Sequence, residues 1–566
     1  MTKANSKRRT GGQVLVDALV QHGVDTVFCV PGESYLATLD ALHDVSDAIR
    51  VVTCRHENGA SYAGEAYGKI TGKPGVTFVT RGPGACNGSI GIHTALQDSS
   101  PMVMFIGQIP RDFTDREAFQ EVDYRAMFGP LAKWATQIDD AKRIPEIVSH
   151  AFHVATSGRP GPVVVAIPED MQVDEVEVAD LAPYTPARPA PGDGDMTRLR
   201  EMLAAAKKPL VLLGGGGWSQ QGSDDLRAFA EANGLPVTTS FRTMHLYDNE
   251  HPNFVGELGI GANPALSQMA RDCDLLLVVG ARLGETTTQG YTLFDLPQPR
   301  QKLVHVHPDP SELGRVYRPD LPIVAGADQF AAAARAMAPL TAPVWQDWTG
   351  TARDSYLAWS TPPGYPGALD MGAVWGAIRA ALPPEGVITT DAGNFAGWAN
   401  RFYRFRRFGT LLGPTNGSMG YAMPAAIAAK VARPDAPVIA YVGDGGAMMT
   451  GNELATAMQQ RLGIVMLIVN NGVFGTIRMH QEREYPTRNP ATDLVNPNFA
   501  AWAQAFGAEG QRVDATDGFA PALDRALATA ATGRPSVIEL MLDADRISPN
   551  FTLTDLRKRA LAKQQA

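Results

Sequence analysis

Cysteine is scarce in this chain: Cys29, Cys54, Cys86 and Cys273 are all that 566 residues hold. They are scattered and lack metal-ligand spacing, which excludes a cysteine-built metal centre. Cys29 and Cys273 lie in or beside apolar runs and read as core thiols, and the cytoplasm is the default compartment. Long apolar runs are missing too. None approaches the roughly 18 residues needed to cross a bilayer. The basic start, Thr2 to Thr10, has no apolar run directly behind it, so it reads as a disordered tail and not as a signal peptide. Positive charge is in deficit: 50 Lys and Arg face 59 Asp and Glu, a formal net charge of −9. That balance argues against nucleic acid as the main partner. What remains is an ordinary globular composition on a chain long enough for about three to four domains.

The stretch from Ala436 to Gly475 organises the rest. Val438 to Val442 is an apolar run ending in Gly443-Asp444-Gly445-Gly446, and Ile464 to Val469 is a second, ending in Asn470-Asn471. Such runs suit strands buried on both faces of a parallel sheet. Between them Leu454, Met458 and Leu462 recur every four residues, which predicts the inward stripe of one helix. The unit is βαβ, with Asp444 and Asn471 at carboxyl ends of neighbouring strands, where open α/β sheets bind ligands. A carboxylate and an amide oxygen are hard ligands for Mg²⁺, which takes phosphate oxygens for much of its remaining shell. The glycines let backbone N–H groups approach an anion at the helix start. The expected ligand is a Mg²⁺-bound diphosphate.

The whole chain follows this α/β alternation, which predicts three doubly wound parallel-sheet domains. Residues 1–173 carry apolar runs at Thr26–Val30, Arg50–Thr53, Val76–Thr80, Met102–Ile106 and Val163–Ile167. Residues 174–195 turn acidic and then rich in Pro, Ala and Gly, as in a linker. A central domain over 196–340 has runs at Pro209–Leu213, Leu275–Val279 and Lys302–Val306. A second linker, 341–367, leads to a third domain, 368–547, which contains the Asp444 unit. The tail, 548–566, is polar with a short helical pattern, a lid or a trailing helix.

Gly-Asp-Gly, then 24 residues, then Asn-Asn resembles the thiamine diphosphate signature of the decarboxylase and carboligase superfamily. The three domains are similar to its pyrimidine-binding, central and diphosphate-binding domains, over nearly the whole chain. The resemblance implies that Asp444, the Asn471 side chain and the Val473 carbonyl hold Mg²⁺. Gly443, Gly445, Gly446 and Gly475 would line the diphosphate.

His56-Glu57-Asn58 opens a helix in which Ala60, Ala63, Gly64 and Gly68 are small enough for close packing. Alone, Glu57 reads as an acid favoured by the helix dipole. Its surroundings, RHENGA and GEAYGKITGKPGVTFVT, resemble the acetohydroxyacid (acetolactate) synthase branch. There the glutamate bonds N1′ of the cofactor's aminopyrimidine and favours the imino tautomer, which takes the C2 proton. In that family Glu57 serves the cofactor held by another subunit, which implies a homodimer or homotetramer with shared active sites. Thr415 to Ala429 resembles the segment under the cofactor's bend, which implies Met419 as the support and Gly417 beside it. Thr389 to Ala399 resembles the loop on the diphosphate, which implies Gly393, Asn394 and Phe395. Gly32 falls near the thiazolium.

The substrate side departs from that pattern. The family's Pro-Gly-Gly reads Pro31-Gly32-Glu33, so Glu33 either moves protons near C2 or points to solvent. Phe119 and Gln120, in a segment that again resembles acetolactate synthases, match residues at the substrate entrance. His480 replaces the indole associated with preference for 2-oxobutyrate. The paired histidines of pyruvate decarboxylases are absent from Thr80 to Asp112. In the central domain, Gly215 and Gly216 follow a strand, and Arg159 and Arg282 match arginines that touch FAD in acetolactate synthases. The acidic pair and second arginine after Arg282 read Gly284-Glu285-Thr286, so FAD, ADP or an empty site stay open. The expected activity is decarboxylation of a small 2-oxo acid and ligation to a second carbonyl. A non-ligating decarboxylase or a flavin-dependent pyruvate oxidase-like enzyme is the alternative. A dehydrogenase leaves Glu57 and the Asp444 unit unexplained, and a silent regulator of this fold would have lost the acid. The sequence leaves a regulatory subunit undecided.

Overall fold

A computed structural model describes residues 8–565. The expected tail lies outside the described residues as far as residue 7. Its end does not: β1, Arg8–Thr10, pairs antiparallel with β8, Glu175–Glu177. Arg8 lies beside Glu175, 2.6 Å apart, and the acidic start of the expected linker is a strand. The three-residue ladder pairs Arg8 with Glu177, Arg9 with Val176 and Thr10 with Glu175.

The chain divides into two compact units. One comprises residues 1–187 with 427–432. Its sheet is built from β2, Thr26–Cys29, β3, Arg50–Thr53, β4, Gly75–Val79, β5, Met102–Gln108, β6, Trp134–Gln137, and β7, Pro162–Pro168. All neighbours are parallel, in the order β3-β2-β4-β5-β7-β6. Val163 and Val165 pack into one core and Val164 and Ala166 into another, so both faces of the sheet are covered. The helix Glu57–Thr71 lies on this sheet because its small residues allow it: a Cβ on Gly64 would come within 2.3 Å of Thr77 Oγ1.

The other unit comprises residues 188–426 and 433–566 and holds two sheets. The central one contains β9, Pro209–Leu213, β10, Val237–Thr239, β11, Phe254–Glu257, β12, Leu275–Val279, β13, Lys302–His307, and β14, Leu321–Val324. Its order is β11-β10-β9-β12-β13-β14. The last contains β15, Val387–Thr390, β16, Leu411–Leu412, β17, Val438–Gly443, β18, Val465–Asn470, β19, Glu509–Val513, and β20, Ser536–Met541. Its order, β16-β15-β17-β18-β20-β19, repeats that of the first sheet. Three doubly wound parallel sheets are therefore present, as expected.

The helical stretch between β17 and β18 is not one helix. It runs Asp444–Thr450, tightens into a 3₁₀ turn at Gly451–Glu453, and resumes at Leu454–Gln459. Gly451 meets the Trp502 ring there, within 2.7 Å of where a Cβ would sit. Leu462 is buried, but in the loop after the helix, past Arg461 at φ 53°. The tail forms the helix Leu553–Gln565, whose Leu553 and Leu556 pack with Met479 and Ile547.

Candidate active site

In an open α/β sheet the chain leaves in opposite directions from two adjacent strands, and the crevice above their carboxyl ends binds ligands. In the last sheet that point falls between β15 and β17. The loop from Asp391 to Phe395 leaves one strand and Gly443-Asp444 leaves the other. The register pairs Gly443 with Val469, which puts Asp444 beside the exit of β18 that carries Asn471.

Asp444 is buried. Its Oδ1 accepts the Gly445 N–H at 2.9 Å, and its Oδ2 accepts the Gly472 N–H and Asn496 Nδ2, each at 2.8 Å. Burial raises its pKa above the usual carboxylate range, and these donors oppose the shift. Asn471 Oδ1 accepts the Val473 N–H at 3.3 Å, which closes a turn over Asn471–Val473. Gly475 starts the next helix, Gly475–Glu484, beside Asn471 and Ile547. The glycines are required by close approach. A Cβ on Gly445 would lie 2.5 Å from the Phe474 ring and one on Gly446 2.1 Å from Asp391 Oδ2. Gly443 faces the Phe395 ring, and Met419 Cε lies against Gly445. Gly393, at φ 144°, turns the loop so that the Asn394 N–H reaches Thr476 Oγ1 at 3.1 Å. Gly417, at φ 78°, is exposed at the turn before Met419.

Asp391 escaped the sequence reading, although it lies against Gly446 and holds the segment Gly420–Ala422. It is fully buried, and its carboxylate accepts the Gly420 and Ala422 N–H groups at 2.6 and 2.5 Å. Burial pushes its pKa up to about 6 against those donors. Arg242, from the loop after β10, donates to the Asp391 and Pro414 carbonyls at 2.7 and 2.6 Å. Asn496 also escaped, though it ties Asp444 to Asn470 Oδ1 at 2.9 Å.

The first sheet has the same crevice, between β2 and β4. Gly32 and Glu33 leave one strand and Thr80 to Gly82 the other. Ser34 Oγ and Thr80 Oγ1 bond at 2.8 Å and close the two loops on each other. Glu57 opens its helix behind the cap His56, whose Nδ1 accepts the Asn58 N–H at 3.2 Å. Glu57 Oε2 accepts Asn87 Nδ2 at 3.0 Å, and Oε1 lies 3.2 Å from where a Gly84 Cβ would sit. Gln120, at φ 67°, covers Gly82, while the Phe119 side chain is exposed.

Residues 9–127 match the thiamine pyrophosphate enzyme N-terminal TPP binding domain, 196–334 its central domain and 391–540 its C-terminal TPP binding domain. The chain is 36% identical over 520 residues to the acetolactate synthase large subunit of Parasynechococcus marenigrum, covering 89% of this chain and 83% of that protein. It is 32% identical over 520 residues to the acetolactate synthase isozyme 2 large subunit of Escherichia coli, covering 91% and 93%. It is 31% identical over 558 residues to the probable acetolactate synthase large subunit of Methanocaldococcus jannaschii, covering 95% and 93%. The chain belongs to the thiamine pyrophosphate enzyme family.

The residues present fit the cofactor of a thiamine pyrophosphate enzyme. One carboxylate, one amide oxygen and a backbone carbonyl make the sparse, hard donor set that Mg²⁺ takes beside a diphosphate. Gly443, Gly445 and Gly446 leave no room for side chains of their own, so the start of the helix Asp444–Thr450 presents backbone and not side chains to an anion. In the central domain of this family member the switch point lies between β9 and β12. Gly215, at φ 71°, approaches the Gly280 carbonyl there, with Gly216 and Arg282 on the same two loops. Arg159 belongs to the other unit, where its guanidinium bonds Ser99 Oγ at 2.9 Å and the Leu96 carbonyl at the end of the helix Pro83–Asp98. His480 is exposed on Gly475–Glu484. The tail braces that helix, because Arg557 pairs with the buried Glu482.

Proposed function

We propose that this chain is a Mg²⁺-dependent carboligase similar to acetolactate synthase, which decarboxylates a small 2-oxo acid and joins the remaining acyl unit to a second carbonyl. The observation that carries this reading is the pairing of Asp444 with Asn471 on adjoining strand ends, in a chain that also opens a helix with Glu57 after β3. Thiamine diphosphate, when bound, supplies a carbon nucleophile and a sink for the electrons that decarboxylation leaves. Asp444, Asn471 and the Val473 carbonyl hold the metal. Gly443, Gly445 and Gly446 take the diphosphate, and Met419 supports the bend. Glu57 would hold a proton against the pyrimidine ring, and Asn87, donating to Oε2 at 3.0 Å, keeps the carboxylate oriented. Glu57 and Asp444 of one active site come from different copies of the chain, so the working unit is a homodimer or homotetramer. The central crevice takes FAD, ADP or nothing. The enzyme works in the cytoplasm. Among the described residues no helix is long and apolar enough to cross a membrane.

Product analysis tests this reading. Purified enzyme with thiamine diphosphate and Mg²⁺ is given a panel of 2-oxo acids, with and without acceptor aldehydes. Hydroxy ketones or 2-hydroxy-3-oxo acids are expected. Aldehyde alone would make the chain a simple decarboxylase. No cofactor-dependent CO₂ release would end both readings. A fully active monomer in sedimentation would end the shared-site assignment.

A further inference from the structure

We propose that Arg81 determines acceptor specificity, binding the carboxylate that an acceptor 2-oxo acid keeps through the reaction, in the place where the Glu33 carboxylate now lies. This rests on the carboligase reading above and deepens it.

Arg81 leaves β4 at the switch point of the first sheet and is nearly buried, with 8% of its side chain exposed. Its Nη1 donates to Glu169 Oε2 at 2.7 Å, and its Nε donates to the Phe119 carbonyl at 3.4 Å. Nη2 meets Glu33 Oε1 only at 3.4 Å. The two carboxylates differ in exposure: 34% of the Glu169 side chain and 66% of the Glu33 side chain are open. Glu169 is the fixed counter-ion. Glu33 is loosely held at the open side of the guanidinium, and an ion pair that open contributes little. A substrate carboxylate arriving there replaces like with like, and its advantage is a closer charge-assisted bond from Nη2 than the 3.4 Å that Glu33 reaches.

The three unit-one residues assigned to the substrate side by sequence all converge on this point. Glu33 pairs with Arg81, the Phe119 carbonyl accepts from it, and Gln120 covers Gly82, within 2.8 Å of where a Cβ would sit. The Arg81 N–H is fixed on Ser34 Oγ at 3.3 Å, so the Glu33 loop and the Arg81 loop keep their relative position.

The chemistry selects the acceptor over the donor. The donor's carboxylate must leave as CO₂. An arginine on it would stabilise the charge that the transition state has to disperse, and would raise the barrier. The acceptor's carboxylate keeps its charge from encounter to product. Anchoring it costs nothing in the chemical step and orients the reacting carbonyl.

The test uses the whole enzyme with one donor and two acceptors of equal chain length, a 2-oxo acid and the corresponding aldehyde. The readout is the ratio of kcat/KM for the acid over the aldehyde. Arg81→Ala is expected to lower this ratio about 100-fold and Arg81→Lys about 10-fold, the range for losing charge-assisted bonds. Glu33→Gln is expected to move it the other way, through a KM for the acid acceptor lowered about threefold. If Arg81→Ala does not fold, Arg81→Lys and Glu33→Gln carry the test. A ratio unchanged in the Arg81 variants, while the wild type ligates both acceptors, overturns this proposal alone. So does Glu33→Gln lowering the ratio, because the pair would then be a structural clamp. A wild type that releases CO₂ and ligates neither acceptor overturns the carboligase reading and this proposal with it.

Discussion

Replacing Glu57 by Gln separates the two roles its position allows. As a helix-start acid, Glu57 gains from the dipole of Glu57–Thr71, about 0.3–1 kcal/mol. Its bond from Asn87 at 3.0 Å weakens from charge-assisted to neutral, a change of about 1 kcal/mol. The amide keeps the shape, so the whole loss of stability is roughly 1–2 kcal/mol, a few degrees in the melting of its domain. As the proton-sharing acid, Glu57 supports a positioned transfer that typically gives about 10²–10⁴ in rate, or roughly 3–5 kcal/mol of barrier. The second effect exceeds the first, so the two readings part clearly. Turnover at saturating cofactor should fall at least about 100-fold, while cofactor binding and fold largely survive. Exchange of the C2 proton of bound thiamine diphosphate for deuterium, followed by NMR, reports the step without turnover. Exchange as fast as in the parent, with cofactor still bound, would refute the proton-sharing role and leave Glu57 a helix-start acid.

Asp444→Ala should abolish Mg²⁺-dependent thiamine diphosphate binding, and calorimetry showing unchanged affinity would end the metal assignment. Gly446→Ala puts a Cβ 2.1 Å from Asp391 Oδ2, and that carboxylate is fixed on two backbone N–H groups. The expected cost is about 1–3 kcal/mol in thermal unfolding, with weaker cofactor binding, and an unperturbed melt would contradict the packing. Glu482 is held down to about 2 from 4.5, first by Arg557 and then by the Thr487 N–H and the Asn489 amide. A depressed acid stabilises the folded state above its unfolded pKa and loses that stabilisation as pH falls through the folded one. The docking of Leu553–Gln565 should therefore be intact at pH 5 and weaken toward pH 2, by roughly 2–3 kcal/mol in all. Glu482→Gln should flatten that pH dependence in limited proteolysis of the tail, and a tail equally protected at pH 5 and pH 2 in the parent would contradict it.

Most strands read from the sequence have unbroken apolar runs; β3, Arg50–Thr53, is the half-exposed exception and β13 is interrupted by His305. β2, β4, β5, β9, β12, β17 and β18 are buried along almost their whole length, which is what a continuous run predicts. The strands that escaped break that rule for identifiable reasons. β6 is a half-buried edge, β14 alternates buried and exposed, and β19 reads Glu-Gly-Gln-Arg-Val at the far edge. β20 is central, but Glu539 interrupts its apolar run, and that acid is buried because it accepts from Asn470 Nδ2 at 2.7 Å. The helix before β18 was overextended because Leu462 keeps the four-residue period after the backbone has turned at Arg461.

The sequence offers candidates for the cofactor end of the site by spacing, and on the substrate side it shows residues without their partners, for a physical reason. A diphosphate with its metal is recognised by local backbone devices: glycines at strand exits, one acid, one amide. They occupy two short stretches at a fixed spacing, Gly443 to Gly446 and Asn470-Asn471, so the spacing itself points to them. The residues that escaped work as pairs across loops far apart in sequence, as Asp391 does with Gly420 and Ala422, Asn496 with Asp444, and Arg81 with Glu33 and Glu169. Glu33 shows the consequence. Read singly, it is a departure from Pro-Gly-Gly with either a proton to move or nothing to do. Beside Arg81 it is half of a charge pair at the switch point, and the glycine-to-acid change makes sense only with the arginine that follows a different strand. A substrate carboxylate differs from the Glu33 carboxylate mainly in being free to leave. The same arginine can therefore be neutralised by the protein when no acceptor is bound and by the acceptor when one is.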